Sequence, residues 1–218
     1  MDLREFNRWD VTAAEAQGIQ LELAAKVIRE GEPAQVRRVA GVDVALPEGT
    51  TRAAIVIDDF PSLTQLESSV AALPLFFPYV PGLLSFRELP SVVAAFRGIQ
   101  QPPDLVIVDG HGIAHPRRLG IASHLGLLLD VPTIGCAKSI LTGHHAPVGD
   151  VPGDWSPLLF RGETIGAAVR TRPKVTPVYV SIGNRIGLVS AIDWVLRCCR
   201  GYRLPEPQRQ AHRVAGSD

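Results

Sequence analysis

The chain has 218 residues, of which 46% are hydrophobic and 20% charged, and its 22 basic side chains balance its 22 acidic ones. This composition excludes a disordered chain, and the zero net charge excludes binding to nucleic acid through a general positive field. No apolar run is long enough to span a bilayer, so we expect no membrane attachment.

The cysteines and the N-terminal segment indicate the compartment. Three cysteines are an odd number, and Cys198 and Cys199 are adjacent, which is a poor geometry for a mutual disulfide. The first residues lack the basic and then apolar pattern of a signal peptide. We therefore expect a cytoplasmic protein with reduced thiols. Its length and lack of linkers predict a single domain over residues 1–218 with flexible ends.

Apolar periodicity in the first half of the chain predicts two helices and three strands. Short turns join the strands, which are expected to pair as an antiparallel meander. The predicted elements are a helix at residues 12–29, strands at residues 36–46, 51–57 and 63–70, and a helix at residues 87–98. We expect Asp58 and Asp59 to be solvated in the turn between the second and third strands.

The segment at residues 105–108 is wholly apolar and rich in β-branched residues, which is typical of a strand buried on both faces. It ends at Asp109, and Gly110 then allows a sharp turn. Open α/β sheets place their chemistry at such strand ends, although an aspartate there can also cap the next helix. The remaining predicted elements are helices at residues 117–130 and 188–200, a strand at residues 132–139, and a peripheral hairpin built from residues 158–169 and 178–182.

Two aspartates indicate a metal-dependent reaction. Asp43 lies in the middle of the first strand, where an ionised carboxylate is costly unless it is paired or binds a metal. If the first and fourth strands are adjacent, Asp43 and Asp109 become neighbours, and two close carboxylates repel each other unless a proton or cation lies between them. Oxygen ligands suit Mg²⁺ or Mn²⁺, which can activate water for hydrolysis of a phosphodiester.

A proline-rich loop follows the meander and contains Pro78, Tyr79 and Pro81. Prolines stiffen a loop, and an aromatic side chain held between them suits a wedge between stacked bases. The alternative is a connection that buries Tyr79 in the core. Lys138, near a strand end, could hold a phosphate or simply be solvated. His111 and His115 have the spacing of helical zinc ligands, but the intervening Gly112 disfavours a helix there, so we do not predict zinc.

Four segments, in this order, strongly resemble the endonuclease V family, and the similarity extends over nearly the whole chain. They are Val-Ala-Gly-Val-Asp43-Val, the run from Pro78 to Glu88, the run from Val108 to Gly120, and Gly135-Cys136-Ala137-Lys138. The resemblance implies an RNase H-like α/β fold with a mixed five-stranded sheet, its first three strands antiparallel, helices on both faces, an extra hairpin and a C-terminal helix.

The same resemblance implies a DNA repair endonuclease that recognises deaminated purines, chiefly hypoxanthine (deoxyinosine). The enzyme would hydrolyse the second phosphodiester bond on the 3′ side of the lesion and leave 3′-hydroxyl and 5′-phosphate ends. The implied cofactor is Mg²⁺, with Mn²⁺ as a substitute. The implied partner is single- or double-stranded DNA, with inosine-containing RNA as a further substrate, and the implied state is a monomer.

Site residues are likewise implied by the resemblance. A metal site is implied at Asp43, Glu88 and Asp109, with His212 near it and Lys138 near the scissile phosphate. The wedge falls on Pro78, Tyr79, Val80 and Pro81, and Arg87 falls in a substrate-binding motif. The pocket for the flipped base falls on Gly82, Leu84, Gly112, His115, Gly120, Ile121, Gly135 and Leu141. Asn184 stands where many relatives are expected to carry histidine.

Three alternatives remain at this point. Another RNase H-like nuclease, such as a junction resolvase or an RNA–DNA hybrid nuclease, would share the carboxylates without needing the wedge or the pocket. A lesion- or RNA-binding module would use the acids structurally. A nucleotide-binding α/β domain would normally carry Gly-x-Gly-x-x-Gly after its first strand, and this chain does not.

Overall fold

The computed structural model describes residues 3–216, so the predicted flexible ends at residues 1–2 and 217–218 lie outside it. The strands within this range are β1 (Arg38–Ala45), β2 (Thr50–Asp59), β3 (Gln65–Pro74), β4 (Leu105–Val108), β5 (Thr133–Ala137), β6 (Trp155–Phe160), β7 (Glu163–Val169) and β8 (Val178–Asn184). The helices are α1 (Ala13–Ala24), α2 (Leu84–Arg97), α3 (Ile121–Leu129), α4 (Leu188–Arg197) and α5 (Glu206–Gly216). None of the helices in residues 3–216 combines the length and apolar character needed to cross a membrane.

All of these strands belong to one mixed sheet, in the order β3-β2-β1-β4-β5-β8-β7-β6. The antiparallel meander of β1, β2 and β3 is confirmed, and β1, β4 and β5 run parallel to one another. The sheet has eight strands rather than the predicted five, because β8 is buried along its whole length and pairs with β5 on one side and β7 on the other. The predicted peripheral hairpin is therefore an extension of the sheet.

The central strand β4 is buried on both faces, as predicted, and its alternate side chains enter two different cores. Leu105 and Ile107 pack in a cluster that includes Trp194 of α4, while Val106 and Val108 pack in a cluster that includes Leu89 of α2. Helices therefore cover both faces of the sheet, and the carboxyl ends of β1 and β4 are left open between them.

Helix α5 crosses the sheet at a glycine. A Cβ atom on Gly41 of β1 would lie 2.0 Å from the carbonyl oxygen of Pro207, so any larger residue would push the helix away. The side-chain amides of Gln208 and Gln210 donate hydrogen bonds to the carbonyl oxygens of Cys136 and Leu63. These contacts fix α5 against the sheet and determine where its later residues lie.

Several helices and strands begin or end at residues other than those predicted. Helix α1 begins at Ala13, after a capping box formed by Thr12 and Glu15, and it ends at Ala24 rather than at residue 29. Helix α3 begins at Ile121 rather than at residue 117. Strand β2 continues through Asp58 and Asp59, which were predicted to lie in a solvated turn. This last prediction was wrong for Asp58, whose side chain is fully buried.

Candidate active site

Three acidic side chains surround the open end of β1 and β4. Val42 and Val108 are register partners in the parallel ladder, so Asp43 and Asp109 follow at the same level of adjacent strands. Glu88 comes from the N-terminal half of α2. Burial, together with the negative charges of Asp43 and Asp109, raises the pKa of Glu88 to about 8. Burial is the larger cause, and the remainder reflects the negative field of the two aspartates.

Lys138 partly neutralises this field. Lys138 directly follows β5, and its ammonium group forms a hydrogen-bonded ion pair with Asp109 Oδ2. Burial raises the pKa of Asp109 to about 6, although the hydrogen bond from Lys138 opposes the shift. Lys138 is thus held at the carboxylate group rather than pointing freely into solvent.

His212, on helix α5, contacts the same acidic cluster through Asp43. Helix α5 places His212 Nδ1 2.8 Å from Asp43 Oδ2, while the side chain remains 63% exposed. The imidazole therefore connects a nearly buried carboxylate with solvent. The sequence prediction that His212 lies near the acidic group agrees with this geometry.

The chemistry of these donors fits a divalent cation, although residues 3–216 contain no group of three or more His, Cys, Asp or Glu side chains already arranged to hold one. Carboxylate oxygens are the ligands that hard cations prefer, and Mg²⁺ needs only one or two of them. The proton on Glu88 and the ammonium of Lys138 compensate a negative charge that a cation would also compensate.

A cavity of about 220 Å³ opens directly beside the acidic cluster. Gly110 and His111, which follow Asp109, form part of its wall, and so do the residues that follow Lys138. Nine of the residues predicted for the wedge and the pocket line this cavity. They are Tyr79, Val80, Pro81, Gly82, Leu84, His115, Gly120, Ile121 and Leu141.

Two predicted pocket residues, Gly112 and Gly135, do not line the cavity, which corrects the sequence analysis. A Cβ atom on Gly112 would lie 1.9 Å from the carbonyl oxygen of Ile182, and one on Gly135 would lie 2.5 Å from the backbone nitrogen of Gly112. These glycines let the loop after β4 pack closely on the sheet. Pro78 and Arg87 also lie outside this cavity and line a second one.

Tyr79 projects from the protein surface. Its side chain is 71% exposed, so the alternative in which it is a core residue does not hold. The guanidinium carbon of Arg87 lies 5.8 Å from the centre of its ring, within the range of a cation–π contact. Arg87 therefore contacts one face of the Tyr79 ring, and the exposed remainder of the ring can contact another molecule.

A hydrogen-bond network that the sequence analysis missed holds the base of the Tyr79 loop. The carbonyl oxygen of Gly82 accepts hydrogen bonds of 2.9 Å from Gln20 Nε2 and Arg117 Nη2, and His115 Nε2 lies at the same distance. His115 Nδ1 accepts from the backbone N–H of Arg117, so Nε2 carries the proton and donates it. Burial lowers the pKa of His115 to about 4, which keeps the ring neutral. Gln20 gives a signal in the sequence, because it is a polar residue on the buried stripe of α1 that includes Ala16 and Leu23.

Asn184, the position at which histidine was expected, lies in the core. Its side-chain oxygen accepts a hydrogen bond from the backbone N–H of Ile28, and its nitrogen donates one to the carbonyl oxygen of Gly126. Both groups of the amide are thus satisfied. Asn184 joins β8 to α3 and to the segment after α1, and this accounts for its burial without a role at the carboxylates.

Comparisons with known proteins agree with this architecture. A sequence model of the Endonuclease V family matches residues 21–213. Endonuclease V of Gloeobacter violaceus is 56% identical over 212 residues, which are 95% of this chain and 86% of that protein. The crystal structure of Endonuclease V from Streptomyces avermitilis superposes with a TM-score of 0.91 at 41% identity, covering 99% of this chain and 96% of that one.

A third similar structure contains nucleic acid. It is Endonuclease V of Ciona intestinalis in complex with a 24mer DNA containing an inosine followed by a ribo-adenosine. It superposes with a TM-score of 0.82 at 28% identity, covering 93% of this chain and 95% of that one. Since the family match covers most of the chain and relatives exceed 50% identity over nearly its whole length, the chain belongs to the Endonuclease V family of nucleases.

Proposed function

We propose that this chain is a DNA repair endonuclease that recognises deaminated purines, chiefly hypoxanthine, and hydrolyses the second phosphodiester bond 3′ to the lesion. The products carry 3′-hydroxyl and 5′-phosphate ends. One observation carries the proposal: the wall of a base-sized cavity continues directly from Asp109 and Lys138. When a base is bound in the cavity, the nucleic-acid strand that carries this base therefore passes next to the acidic cluster.

The cavity suits a base that has left the helical stack. Exposed Tyr79 at its rim can occupy the space that the base vacates, and the network on Gly82 keeps the loop in place. Gly82 and Gly120 have no side chains, so a base can lie close to the backbone of the wall. Backbone groups of the wall that are not already hydrogen-bonded within the protein can then pair with the edge of hypoxanthine. Hypoxanthine offers a carbonyl oxygen and a ring N–H where adenine has an amino group and a bare nitrogen. A mismatched buried polar contact costs about 1–3 kcal/mol, which is enough for selection.

We assign Asp43, Glu88 and Asp109 to a Mg²⁺ site, for which Mn²⁺ can substitute. When bound, the cation supplies activation of water and stabilisation of the leaving oxygen. Lys138 holds positive charge next to Asp109 and can contact a phosphate of the bound strand. His212 restrains the carboxylate of Asp43 and, being exposed, can exchange protons with solvent.

Further parts of the proposal concern partners and context. The substrate is single- or double-stranded DNA, with inosine-containing RNA as a second substrate, and the protein acts as a monomer formed by one domain over residues 1–218. The three unpaired cysteines support action in the cytoplasm. The base-sized cavity favours this function over a junction resolvase or a hybrid nuclease, which need no such cavity.

The decisive experiment is cleavage of matched DNA and RNA strands that contain a single inosine, with adenine-containing strands as controls. With Mg²⁺ we expect one cut, at the second bond 3′ to the inosine, and no cut in the adenine strand. Full activity in excess EDTA, or equal cutting of inosine and adenine strands, would contradict the proposal.

A further inference from the structure

A second cavity, of about 580 Å³, lies on the other side of the Tyr79 loop. Its walls include four aromatic side chains, those of Trp9, Phe76, Phe77 and Phe86. Its volume is within the usual range for sites that bind small organic groups. We call this cavity the aromatic groove. Phe76 is 78% exposed at its edge, so the groove can be entered from solvent.

Two charged residues give the aromatic groove mixed polarity. Arg87 lines it, and the Nε atom of Arg87 is buried without a hydrogen-bond partner in the described part of the chain. The carboxylate of Asp10 lies in the same lining. A phosphate would be repelled by Asp10, whereas a nucleobase is neutral and carries both donors and acceptors on its edge. Aromatic walls with one cation and one anion therefore match a base better than a phosphate.

The two cavities divide the loop between them. Residues 79–82 line the cavity beside the acidic cluster, and Pro74 and residues 76–78 line the aromatic groove. Helix α2 is divided in the same way, since Leu84 and Ser85 face the first cavity while Arg87 faces the groove. The exposed ring of Tyr79 stands between the two openings and contacts Arg87. A molecule that contacts the tip of this loop thus has one cavity on each side of Tyr79.

We propose that the aromatic groove receives the orphan base, meaning the base of the undamaged strand that loses its partner when the lesion leaves the duplex. This inference rests on the proposed function, in which Tyr79 enters the duplex at the lesion. Separation of a base pair by Tyr79 sends its two bases to opposite sides of the loop. The lesion enters the cavity beside the acidic cluster, and its former partner stacks on Phe76 at the mouth of the groove, within reach of Arg87.

The orphan base exists only in a duplex, and this makes the inference testable. The test variant is Phe76→Ala, with Val189→Ala as a matched truncation of a 72% exposed apolar side chain on α4. Each is tested for binding and single-turnover cleavage on three substrates: inosine in a single strand, inosine opposite cytosine in a duplex, and inosine opposite an abasic site in a duplex. The single-strand arm also reports whether each variant is folded.

For Phe76→Ala we expect about tenfold weaker binding to the duplex with cytosine, the effect of losing one base-stacking aromatic side chain. Binding to the single strand and to the abasic duplex should change less than about twofold, because neither offers an orphan base. Val189→Ala should match the wild type on all three.

Equal losses on all three substrates, or no loss on the duplex with cytosine, would overturn the inference. The first result would show that the groove holds the damaged strand or positions Tyr79. Failure of the proposed function looks different, because the wild-type protein would then cut no inosine strand at all.

Discussion

The backbone N–H of Asp109 donates a hydrogen bond of 3.0 Å to the carbonyl oxygen of Val42. This bond continues the parallel ladder one step beyond β4 and holds Asp109 beside Asp43, the residue that follows Val42. The backbone therefore keeps the two aspartates at neighbouring strand ends, where the charge of Asp43 raises the pKa of Asp109. The negative charge of the pair also acts on Glu88. Burial and the charges of the two aspartates together raise the pKa of Glu88 to about 8. A rigid backbone that keeps like charges together is expected where a cation is to bind.

The first prediction concerns this acidic group. Asp43→Ala and Asp109→Ala should each lower metal-dependent cleavage of an inosine strand at least about 100-fold, because each removes an oxygen ligand or its support. Binding of the strand should change far less, since the cavity lies beside the carboxylates. Cleavage rates and binding constants measured on the same strand test this.

The control for these variants is Asp150→Ala, which removes an exposed carboxylate paired with Arg170 away from the acidic group. It should retain full activity. Substantial cleavage by Asp109→Ala in Mg²⁺ would show that the catalytic metal, if any, is held elsewhere.

A few site residues could be singled out from the sequence because they break local rules, whereas most of the metal, wedge and pocket positions were implied only by the resemblance to the family. Asp43 is an acid inside an apolar strand, and Tyr79 is an aromatic residue between prolines, so each is conspicuous without a structure. The roles of Gly112 and Gly135 could not be predicted, because a glycine that faces a ligand and one that packs against another backbone segment look the same in sequence. The position of β8 between β5 and β7 depends on non-local pairing, which local periodicity does not report.

The second prediction concerns Tyr79. Tyr79→Ala should weaken binding of an inosine duplex by roughly a few kcal/mol, the energy linked to unstacking a base. The loss should be smaller on a single strand, where less stacking must be broken. Thermal stability should not change, because the ring is exposed. Equal losses on duplex and single strand would show that Tyr79 contacts the damaged strand without acting as a wedge.

The third prediction separates structural glycines from those that line the cavity. Gly112→Val should lower the melting temperature, because its side chain would collide with the backbone of Ile182 rather than fill the cavity. The loss of activity should then be similar on every substrate and should follow the loss of folded protein. Gly18→Val, at an exposed position of α1 where a Cβ atom meets no neighbour within 4 Å and the backbone has no positive φ, is the comparison for the cost of adding the same side chain without a collision. A Gly112→Val protein with normal stability and altered base preference would return Gly112 to the pocket.

The last prediction concerns Asp58, which the sequence placed in a solvated turn. It is fully buried in β2, and neither carboxylate oxygen has a hydrogen-bond partner within residues 3–216. Burial raises the pKa of Asp58 to about 7, and the charge of Glu206 adds to the shift while that of Arg213 opposes it. The charge of Asp58 also acts on Cys198, the residue that follows α4. The folded protein therefore keeps a proton that the unfolded chain loses at lower pH.

The sign of the effect on stability follows from this difference. The folded-state pKa lies above the unfolded one, so the contribution of Asp58 is fully present below about pH 4 and is lost as the pH rises to about 7. Asp58→Asn removes the ionisation, so its stability advantage over the wild type should grow by on the order of 2 kcal/mol between about pH 5 and pH 8. Urea unfolding of both proteins at the two pH values measures this, and the difference cancels the titration of other groups. A difference for Asp58→Asn that does not vary with pH would mean that Asp58 is ionised in the folded chain and that its charge is compensated.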